Sequence, residues 1–139
     1  MAYWLMKSEP DEYSWDDLVK KGAKGDAWTG VRNFAARKNL QAMKKGDAFF
    51  FYHTGEEKQV VGIGKIVGEA FHDPSAAKDE PWSAVMAAAD KPVPKPVTLA
   101  AIKSEAKLKA MALVKYGRLS VQPVTADEWK LVCKMGGLK

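Results

Sequence analysis

Cysteine and histidine are scarce in this sequence. Among 139 residues there is one cysteine, Cys133, and there are two histidines. One cysteine cannot form an intrachain disulfide, and structural zinc sites usually need four cysteine or histidine ligands. We therefore expect no metal site, and a domain that folds on its hydrophobic core alone. The lone cysteine fits a reducing compartment.

Long apolar runs are also missing. No segment approaches the roughly 20 consecutive apolar residues that cross a bilayer. The first residues, MAYWLMK, lack the basic region and long apolar stretch of a secretory signal. These absences predict an intracellular protein without a membrane partner. If it is bacterial, the expected location is the cytoplasm, with association with the nucleoid as an alternative. The length of 139 residues predicts one domain spanning residues 1–139.

Arginine is rare although the chain is basic. The formal net charge is +5, and only Arg32, Arg37 and Arg118 among the 22 basic residues are arginine. Residues 91–139 hold ten basic and three acidic residues, so the excess lies in the C-terminal third. Such a distribution suits a polyanionic partner such as nucleic acid, with a lysine-rich solvated face as the alternative. Arginine's planar fork suits bidentate phosphate or base contacts.

The common sequence signatures of enzymes are absent. The chain has no GxxxxGK[ST], HExxH, GxSxG or CxxC motif. The segment Gly62–Gly68 approaches the dinucleotide-binding GxGxxG motif, but its third glycine comes one residue late and no βαβ pattern surrounds it. We therefore expect no catalytic residue and no cofactor.

Strand and helix patterns alternate irregularly along the chain. The predicted strands cover residues 3–6, 48–53, 59–71, 82–89 and 118–124. The predicted helix caps are Ser14, Asn33, Thr98, Ser104 and Thr125. The helix after Asn33 is expected to run to about residue 45 and to bury Phe34, Leu40 and Met43. Glycines in a long strand at 59–71 favour bending. The predicted fold class is α+β, with a small curved barrel flanked by helices.

Polar side chains interrupt apolar strands beside aromatic residues in four segments. These segments are Lys7–Glu9, Trp28–Asn33, Tyr52–His53 and Arg118–Gln122. A nucleobase pocket needs a flat apolar surface for stacking and a few donors and acceptors for the base edge. Trp28, in a loop bounded by glycines, is a candidate for the stacking surface, with core packing as the alternative. A simple ion pair between Glu9 and Arg32 is another alternative.

Four sequence blocks resemble the EVE domain family. They are AYWLMKSEPDEYSWDDL at 2–18, WTGVRNFAARKNLQAMKKGDAFFFYHT at 28–54, VVGIGKIV at 60–67 and GRLSVQPVTADEW at 117–129. The resemblance implies a PUA-like barrel with a pocket that binds a modified nucleobase of DNA or RNA. The ligand-binding residues that it implies are Lys7, Ser8, Glu9, Trp28, Val31, Arg32, Asn33, Tyr52, His53, Arg118, Leu119, Ser120 and Gln122.

Two positions depart from the family pattern. Thr29 stands where many relatives have an acidic residue, and Phe34 stands where tyrosine is frequent. The resemblance implies a non-catalytic nucleic-acid-binding module. Two alternatives remain open: an enzyme that acts on a free modified nucleoside through Lys7 and Glu9, and an RNA-associated module that binds through the surface of its barrel.

Overall fold

The computed structural model describes residues 1–138, which form one mixed sheet packed against five α-helices. The strands are β1 Tyr3–Ser8, β2 Asp26–Trp28, β3 Ala48–His53, β4 Gln59–His72, β5 Ser83–Thr98 and β6 Val121–Val124. The helices are α1 Trp15–Val19, α2 Phe34–Ala42, α3 Leu99–Ser104, α4 Ala112–Lys115 and α5 Ala126–Met135. Short 3-10 turns cover Gly22–Lys24 and Ala106–Leu108. No helix within residues 1–138 has the length and apolarity to cross a membrane.

The six strands follow the order β2-β5-β4-β3-β1-β6 and curl into a half-barrel. Strands β1 and β3 run parallel, and every other neighbouring pair is antiparallel. The long pair β4 and β5 changes register at four places, which bends and twists the two strands. The predicted α+β class and curved sheet are confirmed.

Strand β3 separates two hydrophobic cores. All six of its residues are buried, and successive side chains point to opposite faces. Phe49 and Phe51 belong to the core inside the half-barrel, which we call the inner core. Phe50 and Tyr52 belong to the other core, which lies beneath the C-terminal helices. The prediction that this aromatic run is buried on both faces is confirmed.

The glycines of β4 leave room for aromatic rings against the sheet. A Cβ atom at Gly62 would lie 2.5 Å from atoms of the Trp15 indole. The Trp15 ring therefore lies flush on the strand, where it meets Phe51 at a centroid distance of 5.6 Å. Bending and close ring packing both follow from the glycine pattern.

The helix caps agree with the sequence in four of five cases. Ser14, Asn33, Thr98 and Thr125 each accept a backbone N–H bond at the start of a helix. Ser104 was predicted wrongly: its hydroxyl donates to the carbonyl of Ala100, and the Glu105 side chain caps the next turn.

Three boundaries and one burial prediction are also corrected. Helix α2 ends at Ala42, and Phe34 at its first turn is 64% exposed. Strand β6 begins at Val121, since residues 116–119 form a turn. Strand β5 continues through three prolines, because β2 pairs only with its residues 85–87 and leaves the proline half at an edge.

Candidate functional site

A cavity of about 720 Å³ lies where β1 ends beside β2. Its volume is in the range of small-molecule pockets. The cavity brings together seven of the predicted site residues. They are Lys7, Ser8, Glu9, Trp28, Val31, Arg32 and Ser120. The three segments that contribute them are far apart in sequence. The Lys7 amide donates to the Ser120 carbonyl, and the curl of the sheet brings β2, which pairs with β5, to the end of β1.

Trp28 forms part of the cavity wall and rests on the inner core. It is the last residue of β2, a short strand in the segment that was predicted to be loop, and it pairs with Val85. Its ring meets those of Phe49 and Phe51 at steep angles, with centroid distances of 5.9 and 5.3 Å. The half-buried indole therefore has two roles: it packs on the core and it lines the cavity.

A tyrosine and an aspartate that sequence analysis missed form a second wall. The Tyr13 hydroxyl donates to Asp26 Oδ2 at 2.8 Å, and the Ala27 amide donates to the other carboxylate oxygen. Burial raises the pKa of Tyr13, and the hydrogen bond to Asp26 raises it further. The phenol therefore stays protonated, and its O–H is fixed on Asp26. Asp26 directly follows Gly25, and no sequence pattern predicts that its carboxylate lies opposite the Tyr13 hydroxyl.

Lys7 enters the cavity and has no carboxylate partner within residues 1–138. Its ammonium group donates to the Gly117 carbonyl at 2.8 Å and lies 5.8 Å from the centre of the Tyr52 ring. Burial lowers the pKa of Lys7. Lys7 and Glu9 do not form an ion pair within 4.0 Å in residues 1–138.

Ser8 and Glu9 hold the turn at the cavity rim. The Ser8 hydroxyl donates to the Tyr13 carbonyl at 2.5 Å, and the Glu9 carboxylate accepts a bond from the Thr54 hydroxyl at 3.2 Å. Gly55 beside it has a φ of +75°, a left-handed backbone conformation that favours glycine, and a Cβ atom there would lie 2.7 Å from the Glu9 carboxylate. Both side chains are thus partly engaged within the fold.

Arg32 is anchored by a buried aspartate from the loop before β5. Its guanidinium donates to Asp73 at 2.9 Å, and the Gly30 amide donates to the same oxygen at 2.8 Å. Burial alone would raise the pKa of Asp73, but hydrogen bonds from Ser75, Gly30 and Arg32 lower it to about 2. The predicted alternative of a Glu9–Arg32 pair is wrong, because Asp73 occupies the guanidinium.

Six predicted site residues lie outside the cavity lining. Asn33 caps α2 by accepting the Ala36 amide at 2.9 Å. Tyr52 is 3% exposed in the other core. Leu119 packs against the inner core, and Arg118 is exposed ahead of β6.

Gln122 is fully buried outside the cavity and organises the turn before β6. Its amide nitrogen donates to the carbonyls of Tyr116 and Leu119, at 3.1 and 2.9 Å. Its Oε1 is buried and accepts no hydrogen bond within residues 1–138. The turn that Gln122 holds carries Ser120 into the cavity wall.

Both ring nitrogens of His53 have hydrogen-bond partners within the fold. Its Nε2 lies 3.0 Å from the Trp15 amide, which donates to it, and its Nδ1 lies 2.9 Å from Glu57. The hydrogen bond from His53 lowers the pKa of Glu57. The imidazole therefore joins the start of α1 to the end of β3 and is not free to act as a base.

The hydrogen bonds of His53 predict its tautomer. Because the Trp15 amide occupies the Nε2 lone pair, the neutral ring must carry its proton on Nδ1. Nitrogen-15 NMR of the imidazole should show the Nδ1–H form. A spectrum dominated by Nε2–H would contradict this arrangement.

The charges around the cavity nearly cancel. Lys7 and Arg32 supply two cations, and Glu9, Glu12 and Asp26 supply three carboxylates. A polyanionic group gains little from such a lining, whereas a neutral flat heterocycle finds both donors and acceptors beside an indole. The arrangement therefore suits a nucleobase better than a phosphate.

Comparison with known proteins agrees with this geometry. The EVE domain model matches residues 2–135. Human thymocyte nuclear protein 1 is 34% identical over 165 residues, with 96% of this chain and 73% of that protein covered. The solved structure of a Rhodopseudomonas palustris protein is 58% identical, has a TM-score of 0.92, and covers 99% of this chain and 94% of its own.

Two further solved structures are similar. The structure of human THYN1 in complex with DNA containing 5-methylcytosine is 34% identical with a TM-score of 0.87, and covers 100% of this chain and 99% of its own. A YTH domain from Zygosaccharomyces rouxii has a TM-score of 0.61 at 16% identity, over 97% of this chain and 86% of its own, and shares the fold. The chain is therefore a member of the EVE domain family.

Proposed function

We propose that this protein reads a modified nucleobase in DNA or RNA by holding it in the cavity beside Trp28. The observation that carries the proposal is the lining itself: an indole, a fixed Tyr13–Asp26 pair and the nearly balanced charges of the rim. Base pockets combine a stacking surface with a few polar groups for the base edge.

A relative of the same family supports the choice of ligand. Human THYN1, whose fold superposes at a TM-score of 0.87, has been solved with DNA containing 5-methylcytosine. We infer that this chain belongs to the same class of readers and use 5-methylcytosine as the first probe.

The cavity requires the base to leave its stack. Unstacking costs a few kcal/mol and is least costly in single strands or damaged duplexes. Lysines of the basic C-terminal third are expected to hold the flanking phosphates, so that affinity falls as salt concentration rises.

The polar groups favour binding over catalysis. An enzyme acting through Lys7 and Glu9 would need them close together, but Lys7 donates to a backbone carbonyl and Glu9 accepts from Thr54. His53 holds the Trp15 amide and Glu57. We therefore propose a module that binds and releases its base unchanged.

The proposal is tested with paired oligonucleotides. The parent protein is titrated with single-stranded and duplex DNA, and with RNA, each carrying either cytosine or 5-methylcytosine at one central position. One buried methyl group contributes about 0.8 kcal/mol, so we expect a preference of roughly fourfold for the methylated strand. Equal affinity for both strands would remove 5-methylcytosine as the ligand.

A turnover assay separates the reader from the enzyme. The protein is incubated with a panel of modified nucleosides, and the mixtures are analysed by chromatography. Unchanged nucleosides are expected throughout. Formation of any product would contradict the non-catalytic proposal and favour the nucleoside-processing alternative.

A further inference from the structure

Four side chains beside the cavity form a ladder in which two neighbouring aromatic rings lie between two guanidinium groups. We call Arg32, Trp82, Phe34 and Arg37, in that spatial order, the aromatic–arginine ladder. The Arg32 guanidinium lies 5.7 Å from the centre of the Trp82 ring, and the Trp82 and Phe34 centroids are 4.9 Å apart. The Arg37 guanidinium lies 5.5 Å from the centre of Phe34. Two of the three arginines of the chain are in this ladder.

The ladder is on the surface, where core packing does not explain it. Phe34 is 64% exposed, although the sequence pattern predicts that it is buried. Arg37 donates from one terminal nitrogen to the Pro81 carbonyl at 2.9 Å, while its buried Nε–H donates to no partner within residues 1–138. The Arg37 contact holds the segment that carries Trp82 against α2. An exposed phenylalanine beside a tryptophan and two guanidinium groups offers a stacking surface with adjacent positive charge.

The ladder is continuous with the cavity. Arg32 lines the cavity and also contacts the Trp82 ring, so that it is shared by both surfaces. Asp73 and Ser75 fix its guanidinium at 2.9 and 3.1 Å. The ladder therefore begins at the cavity rim and leads from Arg32 to Trp82 and Phe34.

We propose that the aromatic–arginine ladder binds the nucleotides that flank the base held in the cavity. A neighbouring base stacks on the exposed ring of Phe34, and Arg37 contacts a phosphate of the same strand. This inference rests on the proposed function, since it requires a nucleic-acid strand at the cavity. The ladder recognises the polymer, while the cavity recognises the base.

Binding to a mononucleotide and to an oligonucleotide separates the two surfaces. The probes are 5-methyldeoxycytidine monophosphate and single-stranded DNA and RNA with one central 5-methylcytosine. Phe34→Ala should weaken oligonucleotide binding roughly 5- to 10-fold through lost stacking and leave mononucleotide binding unchanged. Phe34→Tyr should keep parental affinity, whereas Phe34→Leu should behave like alanine, because leucine is apolar but has no ring to stack. Unequal losses for DNA and RNA would show which strand the ladder prefers.

Arg37→Gln supplies a second readout that does not depend on stacking. Loss of one phosphate contact should reduce the slope of log affinity against log salt by roughly 0.7 to 0.9. Thermal unfolding of each variant checks that the fold is retained, which the exposure of Phe34 favours.

Two outcomes have different meanings. Unchanged oligonucleotide affinity in Phe34→Ala and Phe34→Leu, together with tight binding by the parent, would overturn the ladder inference alone and leave this surface to another partner. A parent protein that binds neither the mononucleotide nor any oligonucleotide would contradict the proposed function, and the ladder inference with it.

Discussion

Replacing Trp28 with alanine is expected to weaken binding of a 5-methylcytosine oligonucleotide more than any other single change in the cavity. Stacking of a base on an aromatic side chain contributes about 1 to 3 kcal/mol, which corresponds to roughly 5- to 150-fold in affinity. Unlike Phe34→Ala, this variant should also lose affinity for the free mononucleotide, because the indole lines the cavity itself. Fluorescence anisotropy and calorimetric titration measure both probes.

A matched control separates lost stacking from lost stability. Trp28 packs on Phe49 and Phe51, so its removal also weakens the inner core. Trp129 is a half-buried tryptophan in the other core, stacked on Tyr3 and Phe50. Trp129→Ala should lower the unfolding temperature but keep parental affinity at a temperature where the variant is folded. If Trp28→Ala is folded and binds as tightly as the parent, Trp28 does not stack the base.

The fold was predictable where local chemistry determines it. The side-chain oxygen of a serine, asparagine or threonine at a helix start commonly accepts a backbone N–H bond and caps the helix. Ser14, Asn33 and Thr125 therefore identified three helices. The aromatic run at 49–52 predicted a strand buried on both faces, and the glycines of β4 predicted its bending. Ser104 failed as a cap because a hydroxyl inside a helix can instead donate to the carbonyl four residues earlier.

The site was only partly predictable because some polar residues have local structural roles that resemble ligand binding. Asn33 is polar and adjacent to Arg32, but its oxygen caps α2. Tyr52 and His53 end a strand near the cavity. Strand alternation directs Tyr52 into the other core, and the Trp15 amide occupies the imidazole of His53. Proximity in sequence to the site did not distinguish a ligand contact from a cap or a core contact.

The groups that sequence analysis missed depend on contacts between distant segments. Asp26 meets Tyr13 because β2 joins the sheet beside β5, and Asp73 meets Arg32 across 41 residues. Neither aspartate has a local motif that marks it. The loop that carries Asp73 also matches none of the four family blocks, so the resemblance offered no guidance there.

Asp73→Asn is expected to cause a large loss of stability for a change that preserves the size of the side chain. The carboxylate is fully buried and accepts bonds from Arg32, the Gly30 amide and Ser75. The pKa of Asp73 falls from 3.8 to about 2, and one pKa unit corresponds to about 1.4 kcal/mol, so its ionised form stabilises the fold by roughly 2 kcal/mol. Asparagine keeps the shape but removes the charge that holds the guanidinium. Urea unfolding at pH 7 should show a loss of about that size.

The pH dependence of unfolding isolates the charge of Asp73. Because folding lowers its pKa, the stabilisation is complete above the unfolded pKa of 3.8 and is lost as pH falls toward 2. The difference in unfolding free energy between parent and Asp73→Asn should therefore shrink between pH 4 and pH 2. Asp79→Asn, at an exposed position in the same loop, is the matched control and should unfold like the parent. A constant difference across this range would show that the loss comes from replacing an accepting oxygen with an amide NH₂ and not from removing the charge.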